Sequence, residues 1–413
     1  MRYAAREPDE RGHIEREGVS VFFEVFGSGE TTILFCPTWT LVPSQVWKMQ
    51  VPYLAEHFRV IAFDPRGNGQ SDRPGVLDAY AESEFAKDAL AVLDATHTER
   101  AIVVGLSRGT QRTLLLAAEH PQRVLGLVII GPWFPVSWSL RSVLFRITSR
   151  SLGARLFMRP PLLARSWGKV NGVHYRRDFS DFVEWFAARA TDEAHSTKGF
   201  DDVVEWSLGT DPETMIHVTL AEAATPVTRR AQLALARRVQ CPVLAIGGTA
   251  DKVTPFADAK LLAKATNGKL LRMEGGSHVP EGRRPVEVNL AIREHADPSF
   301  RRSPHRWAPP RAVRLLADRP RTRAPRCRDR PRAARARAGP ADRLARAGPG
   351  HPSARGGGRA HPPGQRTPGQ RDAPLGAGGM RARVALLQRA AADGRDPGGE
   401  LHDLRRRCAR DAL

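Results

Sequence analysis

A serine placed between two glycines is the first feature of this sequence whose residue types could perform chemistry. Residues 105–109 read Gly-Leu-Ser-Arg-Gly, follow an apolar run and precede a segment of helical character. A strand, a sharp turn and a helix expose the hydroxyl of Ser107, and the flanking glycines leave room for a cramped backbone. The backbone amide of Arg108 would lie at a helix N-terminus and donate to a developing oxyanion. We therefore predict that Ser107 is a nucleophile, and the alternative is a serine that caps the helix.

A serine nucleophile needs a base, and His278 is the best candidate for it. This histidine lies in the glycine-rich segment 275–280, directly after the last predicted strand. A histidine in such a loop is free to reach the carboxyl edge of a sheet. His57, His97 and His120 are instead expected beside helix ends or surface turns, where a solvated or capping role suffices.

The base in turn needs a carboxylate that orients it, and Asp251 is the candidate. It directly follows an apolar run that we predict to be a strand. A carboxylate there could bond the far nitrogen of the imidazole and hold one tautomer. The alternative is an aspartate that forms a turn or caps a helix, because Thr254 and Pro255 are typical of a helix start. Asp258 lies too far along the chain, and Glu274 is expected to point away from the loop tip.

The segments that must position these residues alternate between apolar strands and amphipathic helices. The helices are predicted at 80–96, directly after Ser107, and at 285–295. The strands are predicted at residues 19–26, 31–35, 58–63, 101–104, 124–130, 241–246 and 269–273. Strands that alternate with helices predict an α/β fold with a mainly parallel sheet and helices on both faces.

The alternating pattern breaks between residues 132 and 225, where no buried strand is obvious. Helical periodicity is plausible around 181–190 and 213–224, so we predict a helical cap over the carboxyl edge of the sheet. Five of the eight tryptophans fall in this segment: Trp133, Trp138, Trp167, Trp185 and Trp206. An aromatic-rich cap would supply an apolar pocket, although most of these tryptophans are expected to form the core of the cap itself.

The composition of the chain changes near residue 300. Residues 301–413 contain 28 arginines, 9 acidic residues and no lysine, so nearly all of the +20 net charge lies there. They also lack isoleucine, phenylalanine, tyrosine and asparagine, which leaves too few large apolar groups to offset the entropy of ordering. We predict a disordered tail rich in Arg, Ala, Pro and Gly. Because these residues have GC-rich codons, we hypothesise an out-of-frame translation; the alternative is a genuine basic tail that binds polyanions.

The sequence thus predicts four segments. They are a first part of the core at 1–131, a helical cap at 132–225, a second part of the core at 226–298, and a tail at 299–413. The first 300 residues are close to electroneutral and carry no field that would attract nucleic acid.

Cysteine usage and hydropathy bear on the location of the protein. The four cysteines, Cys36, Cys241, Cys327 and Cys408, show neither metal-ligand spacing nor a disulfide framework. The charged N-terminus does not read as a signal peptide, and the longest apolar stretch is too short to span a bilayer. We expect a cytoplasmic protein with no membrane span and no metal.

Four motifs together resemble the α/β-hydrolase superfamily, over residues 17 to about 297. The motifs are Phe-Asp-Pro-Arg-Gly-Asn-Gly-Gln-Ser-Asp-Arg-Pro at 63–74, the serine motif at 105–109, and the segments 247–255 and 275–280. The sequence is similar to the carboxylesterase-like and haloperoxidase-like serine hydrolases with a helical cap. The resemblance gives Ser107, Asp251 and His278 the nucleophile, acid and base positions, in the chain order of that fold. It implies a structural turn at 63–74.

The sequence departs from that family after the strand at 31–35. Relatives commonly carry His-Gly there, where this chain has Cys-Pro-Thr-Trp-Thr at 36–40. By position, the amide of Trp39 would be the second oxyanion donor, but no glycine helps the backbone to turn. Loss of one such donor costs about 3–4 kcal/mol in transition-state stabilisation. A further hypothesis is that the Trp39 side chain forms a wall of the acyl pocket.

These inferences predict a serine hydrolase of small-molecule esters, thioesters or lactones that works without a cofactor. A serine in place of an aspartate nucleophile disfavours epoxide and haloalkane hydrolysis, whereas carbon–carbon bond hydrolysis and perhydrolysis stay open because the same triad serves them. Two alternatives are a catalytically silent ligand-binding module and a hydrolase part of a larger fused protein. The sequence leaves the substrate and the oligomeric state open.

Overall fold

An eight-stranded sheet organises the part of the chain that the structure, a computed structural model, describes: residues 6–137, 157–160, 165–192, 197–224, 228–297 and 299–300. Its strands are β1 (Glu10–Arg16), β2 (Val19–Phe26), β3 (Thr32–Phe35), β4 (Arg59–Phe63), β5 (Ala101–Leu106), β6 (Val124–Ile130), β7 (Val243–Gly248) and β8 (Lys269–Met273). The strand order is β1-β2-β4-β3-β5-β6-β7-β8. Strand β2 pairs antiparallel with β1 and β4, and all the other pairs are parallel. The predicted mainly parallel α/β sheet is confirmed.

Helices fill most of the connections between these strands. They are α1 (Val51–Leu54), α2 (Glu82–Ala95), α3 (Gly109–Glu119), α4 (Gly172–Arg177), α5 (Phe179–Ala190), α6 (Lys198–Ser207), α7 (Pro212–Ala224), α8 (Arg229–Arg237), α9 (Phe256–Ala265), α10 (Pro280–Arg283) and α11 (Pro285–Ala296). Short 3₁₀ helices lie at Ser44–Trp47, Leu77–Tyr80, Pro121–Arg123 and Ser166–Lys169. Among the described residues, no helix combines the length and the apolar character needed to cross a membrane.

The core lies on both faces of the sheet, as strand β5 shows. Ile102 and Val104 belong to an apolar cluster that also contains Val288 of α11. Val103, on the opposite face, belongs to a second cluster with Leu114 of α3. Successive side chains of a strand point to opposite faces, so a strand covered on both sides must be apolar throughout. All six residues of β5 are buried, and the strand therefore holds its carboxyl end, where Ser107 follows, in a fixed place.

Strand β1 was not predicted from the sequence. Its residues are mostly charged and exposed, and Ile14 is the buried one among them. The strand pairs along its whole length with β2 at the edge of the sheet. Because backbone hydrogen bonds hold this strand, it carries little of the hydrophobic alternation from which strands are predicted.

Helices α4 to α7 lie between β6 and β7, and we call residues 157–224 the helical insertion. The periodicity at 181–190 and 213–224 corresponds to α5 and α7, whereas α4 and α6 were not predicted. Trp185 and Trp206 pack partly buried against the main apolar cluster. Trp167 is 40% exposed and contacts the Trp185 ring edge-on. Trp138 and the tail at 301–413 lie outside the described residues, so the expectations about them stay predictions.

Candidate active site

Ser107 lies on a strained turn between β5 and α3. Its backbone has φ of +51°, in the left-handed region that costs a residue with a side chain about 1–2 kcal/mol. The two flanking glycines lie in close packing. A Cβ on Gly105 would lie 2.8 Å from Cγ2 of Thr113, and one on Gly109 would lie 3.0 Å from the carbonyl oxygen of Pro37. The turn therefore presents the serine hydroxyl at the carboxyl end of β5, as the motif predicts.

The structure brings Ser107, His278 and Asp251 into one chain of hydrogen bonds. His278 Nε2 lies 2.9 Å from Ser107 Oγ, and His278 Nδ1 lies 2.9 Å from Asp251 Oδ2. The His278 and Asp251 side chains are almost fully buried. An ionised carboxylate only accepts hydrogen bonds, so a neutral imidazole carries its proton on Nδ1 and leaves Nε2 to accept from the serine hydroxyl.

Asp251 is held in place by the turn that follows β7. Its Oδ1 accepts hydrogen bonds from the amides of Val253 and Thr254, both at 2.7 Å, and its Oδ2 accepts one from the Thr254 hydroxyl at 2.7 Å. Burial acts to raise the pKa of Asp251, but the charge and hydrogen bond of His278 and the bonds from Thr254 outweigh it and lower that pKa. The sequence left two alternatives for Asp251, an aspartate that forms a turn and an acid that orients the histidine. Its hydrogen bonds allow both roles at once.

The other acidic and histidine candidates contact different partners. Asp258 accepts a hydrogen bond from the buried amide of Ser137 at 2.8 Å. Glu274 is exposed and pairs with Arg272 at 2.8 Å. His57 contacts Arg293 near α11. These contacts give each residue a structural role away from Ser107.

The loop that carries His278 packs against the end of β7 through backbone atoms. A Cβ on Gly248 would overlap the carbonyl oxygen of Gly276 and lie 2.5 Å from that of Ser277. A Cβ on Gly131, which has φ of +49°, would lie 2.8 Å from the carbonyl oxygen of His278. The glycines after two neighbouring strands thus let the histidine loop approach the edge of the sheet closely.

Trp39 lies in the loop after β3, which packs against the first turn of α3. Arg112 of α3 donates from Nη1 to the carbonyl of Pro37 at 3.0 Å and to the carbonyl of Thr38. The Arg112 side chain is only 1% exposed. A buried guanidinium therefore holds the two residues before Trp39, in a loop that has no glycine of its own.

The turn at 63–74 supports the same loop from its other side. Asn68 donates from Nδ2 to the carbonyl of Thr40 at 2.9 Å and to that of Trp206, in the helical insertion, at 3.4 Å. Arg66 forms a buried ion pair with Asp88 at 2.6 Å. These contacts agree with the structural role that the sequence assigns to this turn.

We call the turn at residues 105–109, between β5 and α3, the elbow. Two arginines and two glutamates form a buried group at this elbow, which we call the guanidinium cluster: Glu82, Arg108, Arg112 and Glu222. Arg108 Nη2 lies 2.8 Å from Glu82 and 2.7 Å from Glu222, and Arg112 Nε lies 3.0 Å from Glu82. Burial acts to raise the pKa of Glu82, but both arginines outweigh it and lower that pKa. Burial, together with the charge of Glu82, raises the pKa of Glu222 to about 7 against the opposing effect of the arginines.

Sequence reasoning missed the side chains of this cluster. It considered Arg108 for its backbone amide alone and gave Glu82, Arg112 and Glu222 no role. The four residues come from α2, the turn after β5, α3 and α7, and no local pattern joins them. Only the folded chain brings these charges together.

The Trp39 ring faces the helical insertion. It contacts Phe182 and Phe186 of α5 edge-on, with centroids 6.0 and 5.2 Å apart. The guanidinium of Arg108 lies 5.2 Å from the centroid of the Trp133 ring. Aromatic side chains thus surround the two residues that the sequence suggests as oxyanion donors.

An open depression of about 680 Å³ lies at the opposite edge of the sheet. Its lining includes Thr32, Arg59 and Leu125, which stand at or near the starts of parallel strands. In parallel α/β sheets, ligands bind outside the carboxyl ends of the strands. The depression is therefore separate from the site around Ser107.

Comparisons with known proteins agree with this geometry. The chain is 32% identical over 249 residues to Rhodomycin D methylesterase DauP of Streptomyces sp. (strain C5), a match that covers 54% of this chain and 76% of that protein. It is 37% identical over 113 residues to the RutD protein of Variovorax paradoxus (strain S110), where it spans only 42% of that relative. The solved structure of Est816, an N-acyl homoserine lactone degrading enzyme, aligns with a TM-score of 0.53 and 26% identity over 68% of this chain and 99% of that one.

The family model of the alpha/beta hydrolase fold matches residues 31–280. This stretch contains Ser107, Asp251 and His278 as well as the strands that carry them. The resemblance to the α/β-hydrolase superfamily is confirmed by this family match. The solved structures of an esterase from Exiguobacterium antarcticum and of a bromoperoxidase from Bacillus anthracis, 17% and 21% identical to this chain, share its fold. The chain belongs to the α/β-hydrolase family.

Proposed function

We propose that the protein is a serine hydrolase that cleaves a carboxylic ester, thioester or lactone of a small molecule through an acyl-enzyme intermediate. The observation that carries this proposal is the continuous hydrogen-bond chain from Asp251 through His278 to Ser107, with 2.9 Å at both histidine contacts. Membership of a hydrolase family and likeness to a methylesterase and to a lactone-degrading enzyme support the substrate class.

In the first half of the reaction, Ser107 Oγ attacks the substrate carbonyl carbon and its proton moves to His278 Nε2. The carbonyl oxygen becomes an oxyanion, which the backbone amides of Arg108 and Trp39 would bind. Collapse of this intermediate breaks the bond to the leaving group. The leaving alcohol or thiol takes the proton from His278, and the acyl group stays on Ser107.

In the second half, a water molecule gives its proton to His278 and attacks the acyl carbon. A second oxyanion forms and collapses, the acid leaves, and Ser107 regains its proton from His278. Asp251 keeps the imidazole in the tautomer with the proton on Nδ1 and stabilises the imidazolium that forms in both halves. The lowered pKa of Asp251 keeps it ionised throughout.

A series of nitrophenyl esters with increasing acyl length tests the proposal. The full chain should release nitrophenolate from at least one of them, and the Ser107→Ala variant should release none above the background rate. Ser83, an exposed serine on α2, gives the matched control, because Ser83→Ala should behave as the wild type does. If the wild type and Ser107→Ala release nitrophenolate equally slowly from every ester, the chain is the silent binding module instead.

A further inference from the structure

One carboxylate of the helical insertion contacts both residues whose amides we propose as oxyanion donors. Oε1 of Glu222, on α7, lies 2.7 Å from Nη2 of Arg108, and the Glu222 side chain is only 10% exposed. The indole N–H of Trp39 also interacts with this carboxylate, although without the geometry of a full hydrogen bond. Glu222 therefore connects the elbow after β5, the loop after β3 and the helical insertion.

The loop that carries Trp39 is held at several points. Arg112 holds the carbonyls of Pro37 and Thr38, but it does not hold Trp39 itself. The Trp39 ring packs edge-on against Phe182 and Phe186, and the Trp39 carbonyl accepts from the Val42 amide at 3.0 Å. Glu222 adds a polar contact to these, because its carboxylate interacts with the indole N–H.

Burial of a carboxylate at this position costs hydration free energy. An ion removed from water loses several kcal/mol of hydration, on the order of what a good ion pair returns. Helix α7 does not need the charge in order to dock, because Met215, Ile216, Val218 and Ala221 bury its apolar side. A buried charge on a helix that already docks through apolar contacts points to a role beyond packing.

The charged and titratable groups around Glu222 come from four different segments. Burial raises its pKa, and so does the negative charge of Glu82, whereas Arg108, Arg112 and the indole of Trp39 act to lower it. The buried hydroxyl of Tyr175, on α4, faces the same carboxylate. With both glutamates ionised the guanidinium cluster is neutral, and with Glu222 protonated it carries one positive charge.

We propose that Glu222 is a positioning residue that fixes Trp39 and Arg108, so that their backbone amides point at the oxyanion, and that it thereby makes the oxyanion hole depend on the docking of α7. This inference rests on the proposed serine hydrolase function. The loop at 36–40 contains no glycine, and the carboxylate that supports it comes from another part of the chain.

Substitutions of Glu222 in the full-length chain test the inference. Glu222→Ala removes both contacts, Glu222→Gln keeps a polar oxygen next to Arg108 and Trp39 but no charge, and Glu222→Leu keeps the volume without a polar group. Glu213→Gln is the matched control, because Glu213 lies on the same helix and pairs with Arg176 at 2.6 Å, but on the surface. For each variant we would measure kcat and KM on the best nitrophenyl ester, the unfolding midpoint, and the Ki of a trifluoromethyl ketone. That ketone adds to Ser107 Oγ and carries an oxyanion in its adduct.

We expect Glu222→Ala to lower kcat by about 10- to 100-fold, since small misplacements of catalytic groups have effects of this size. The Ki of the trifluoromethyl ketone should rise by a similar factor, while KM changes by less than about twofold, because only the oxyanion uses the displaced amides. Glu222→Gln should recover most of the loss, and Glu213→Gln should equal the wild type. If Glu222→Ala does not fold, Glu222→Leu takes its place with the same expectation.

Three results would overturn the inference: a kcat and Ki equal to those of Glu213→Gln, a loss confined to KM, or a loss that glutamine does not recover. Each of them leaves the proposed function intact as long as the wild type hydrolyses the ester. A wild type that neither hydrolyses any ester nor binds the ketone would instead defeat the proposed function itself.

Discussion

The proposed nucleophile position stores backbone strain. Ser107 has φ of +51°, and its amide donates to the carbonyl of Ile130 at 2.9 Å. That hydrogen bond and the glycines on either side hold the residue in a conformation that its side chain disfavours. Such strain is compatible with a functional position, where a conformation that lowers the stability of the fold exposes one hydroxyl.

The strain at Ser107 predicts a difference between two inactive variants. Ser107→Gly and Ser107→Ala both remove the hydroxyl, but only alanine keeps the Cβ that disfavours φ of +51°. We expect the free energy of unfolding of Ser107→Gly to exceed that of Ser107→Ala by about 1 kcal/mol. Urea unfolding followed by circular dichroism measures the difference, and equal stabilities would mean that the turn is not strained.

The raised pKa of Glu222 predicts how stability depends on pH. The folded pKa is about 7 and the ordinary value is 4.5, so folding favours the protonated form. The resulting stabilisation is fully present below pH 4.5 and is lost as the pH rises through about 7. Glu222→Gln has no such proton to lose. Its free energy of unfolding, relative to that of the wild type, should therefore be larger at pH 8.5 than at pH 5.5. Denaturant unfolding at both pH values checks this, and a difference that does not change with pH would contradict the assigned pKa.

At the scale of elements, the ends of neighbouring parallel strands bring the proposed triad together. Ser107 follows β5, Asp251 follows β7 and His278 follows β8. Because these strands run parallel, their carboxyl ends meet at one edge of the sheet. The histidine loop reaches Ser107 across this edge only because Gly248 and Gly131 leave space for its backbone.

Close packing at Gly248 predicts that a single methyl group displaces His278. The Cβ of Gly248→Ala would overlap the backbone of the loop at 276–277, which cannot move aside as a flexible side chain would. We expect kcat to fall by more than about 10-fold and the free energy of unfolding to fall by about 1–3 kcal/mol. Gly75→Ala is the control, since a Cβ there meets nothing within 4 Å. If Gly248→Ala keeps the kcat of Gly75→Ala, the loop is not held by this contact.

The elements that sequence could predict are those whose pattern is local. Strands such as β5 and β6 are buried on both faces and read as apolar runs, so they were predicted close to their observed bounds. Strand β1 and helix α6 were not predicted. Strand β1 is held by backbone pairing at the edge of the sheet. Helix α6 does carry a local signal that could have found it, because Phe200, Val203 and Val204 recur at helical spacing after Thr197 at the N-cap position.

The same distinction applies to the candidate site. Ser107, Asp251 and His278 each lie in a short motif at the end of a strand, and that is why residue types and spacing were enough to single them out. Glu222 pairs with Arg108, and Arg112 donates to the loop after β3, only after distant segments fold together. No pattern within either segment indicates such a contact.

At the scale of the whole molecule, the described fold ends with a contact between α11 and the residues just after it. Arg293 of α11 lies 4.0 Å from the ring centroid of Phe300, and the Phe300 residue is only 8% exposed. A cation held over an aromatic ring contributes about 0.5–1 kcal/mol at an exposed site and more when desolvated. Residue 300 is also where the composition of the sequence changes.

This boundary predicts the effect of shortening the chain. A protein that ends at residue 300 should keep the unfolding midpoint and the kcat of the full chain, because it retains the Arg293–Phe300 contact. A protein that ends at residue 297 loses that contact and should unfold at a lower temperature. Thermal unfolding and ester hydrolysis compare the three lengths. If the protein that ends at residue 300 is unfolded, the boundary is misplaced.

The central claim of this account is that Ser107 is a nucleophile activated by His278. Treatment of the folded full-length protein with a fluorophosphonate, followed by intact mass and peptide mapping, tests it most directly. We predict one phosphonyl group on the peptide that contains Ser107, no label on Ser107→Ala, and no label on the wild type after denaturation. A wild type that stays unlabelled, or a label that Ser107→Ala retains, would contradict the claim.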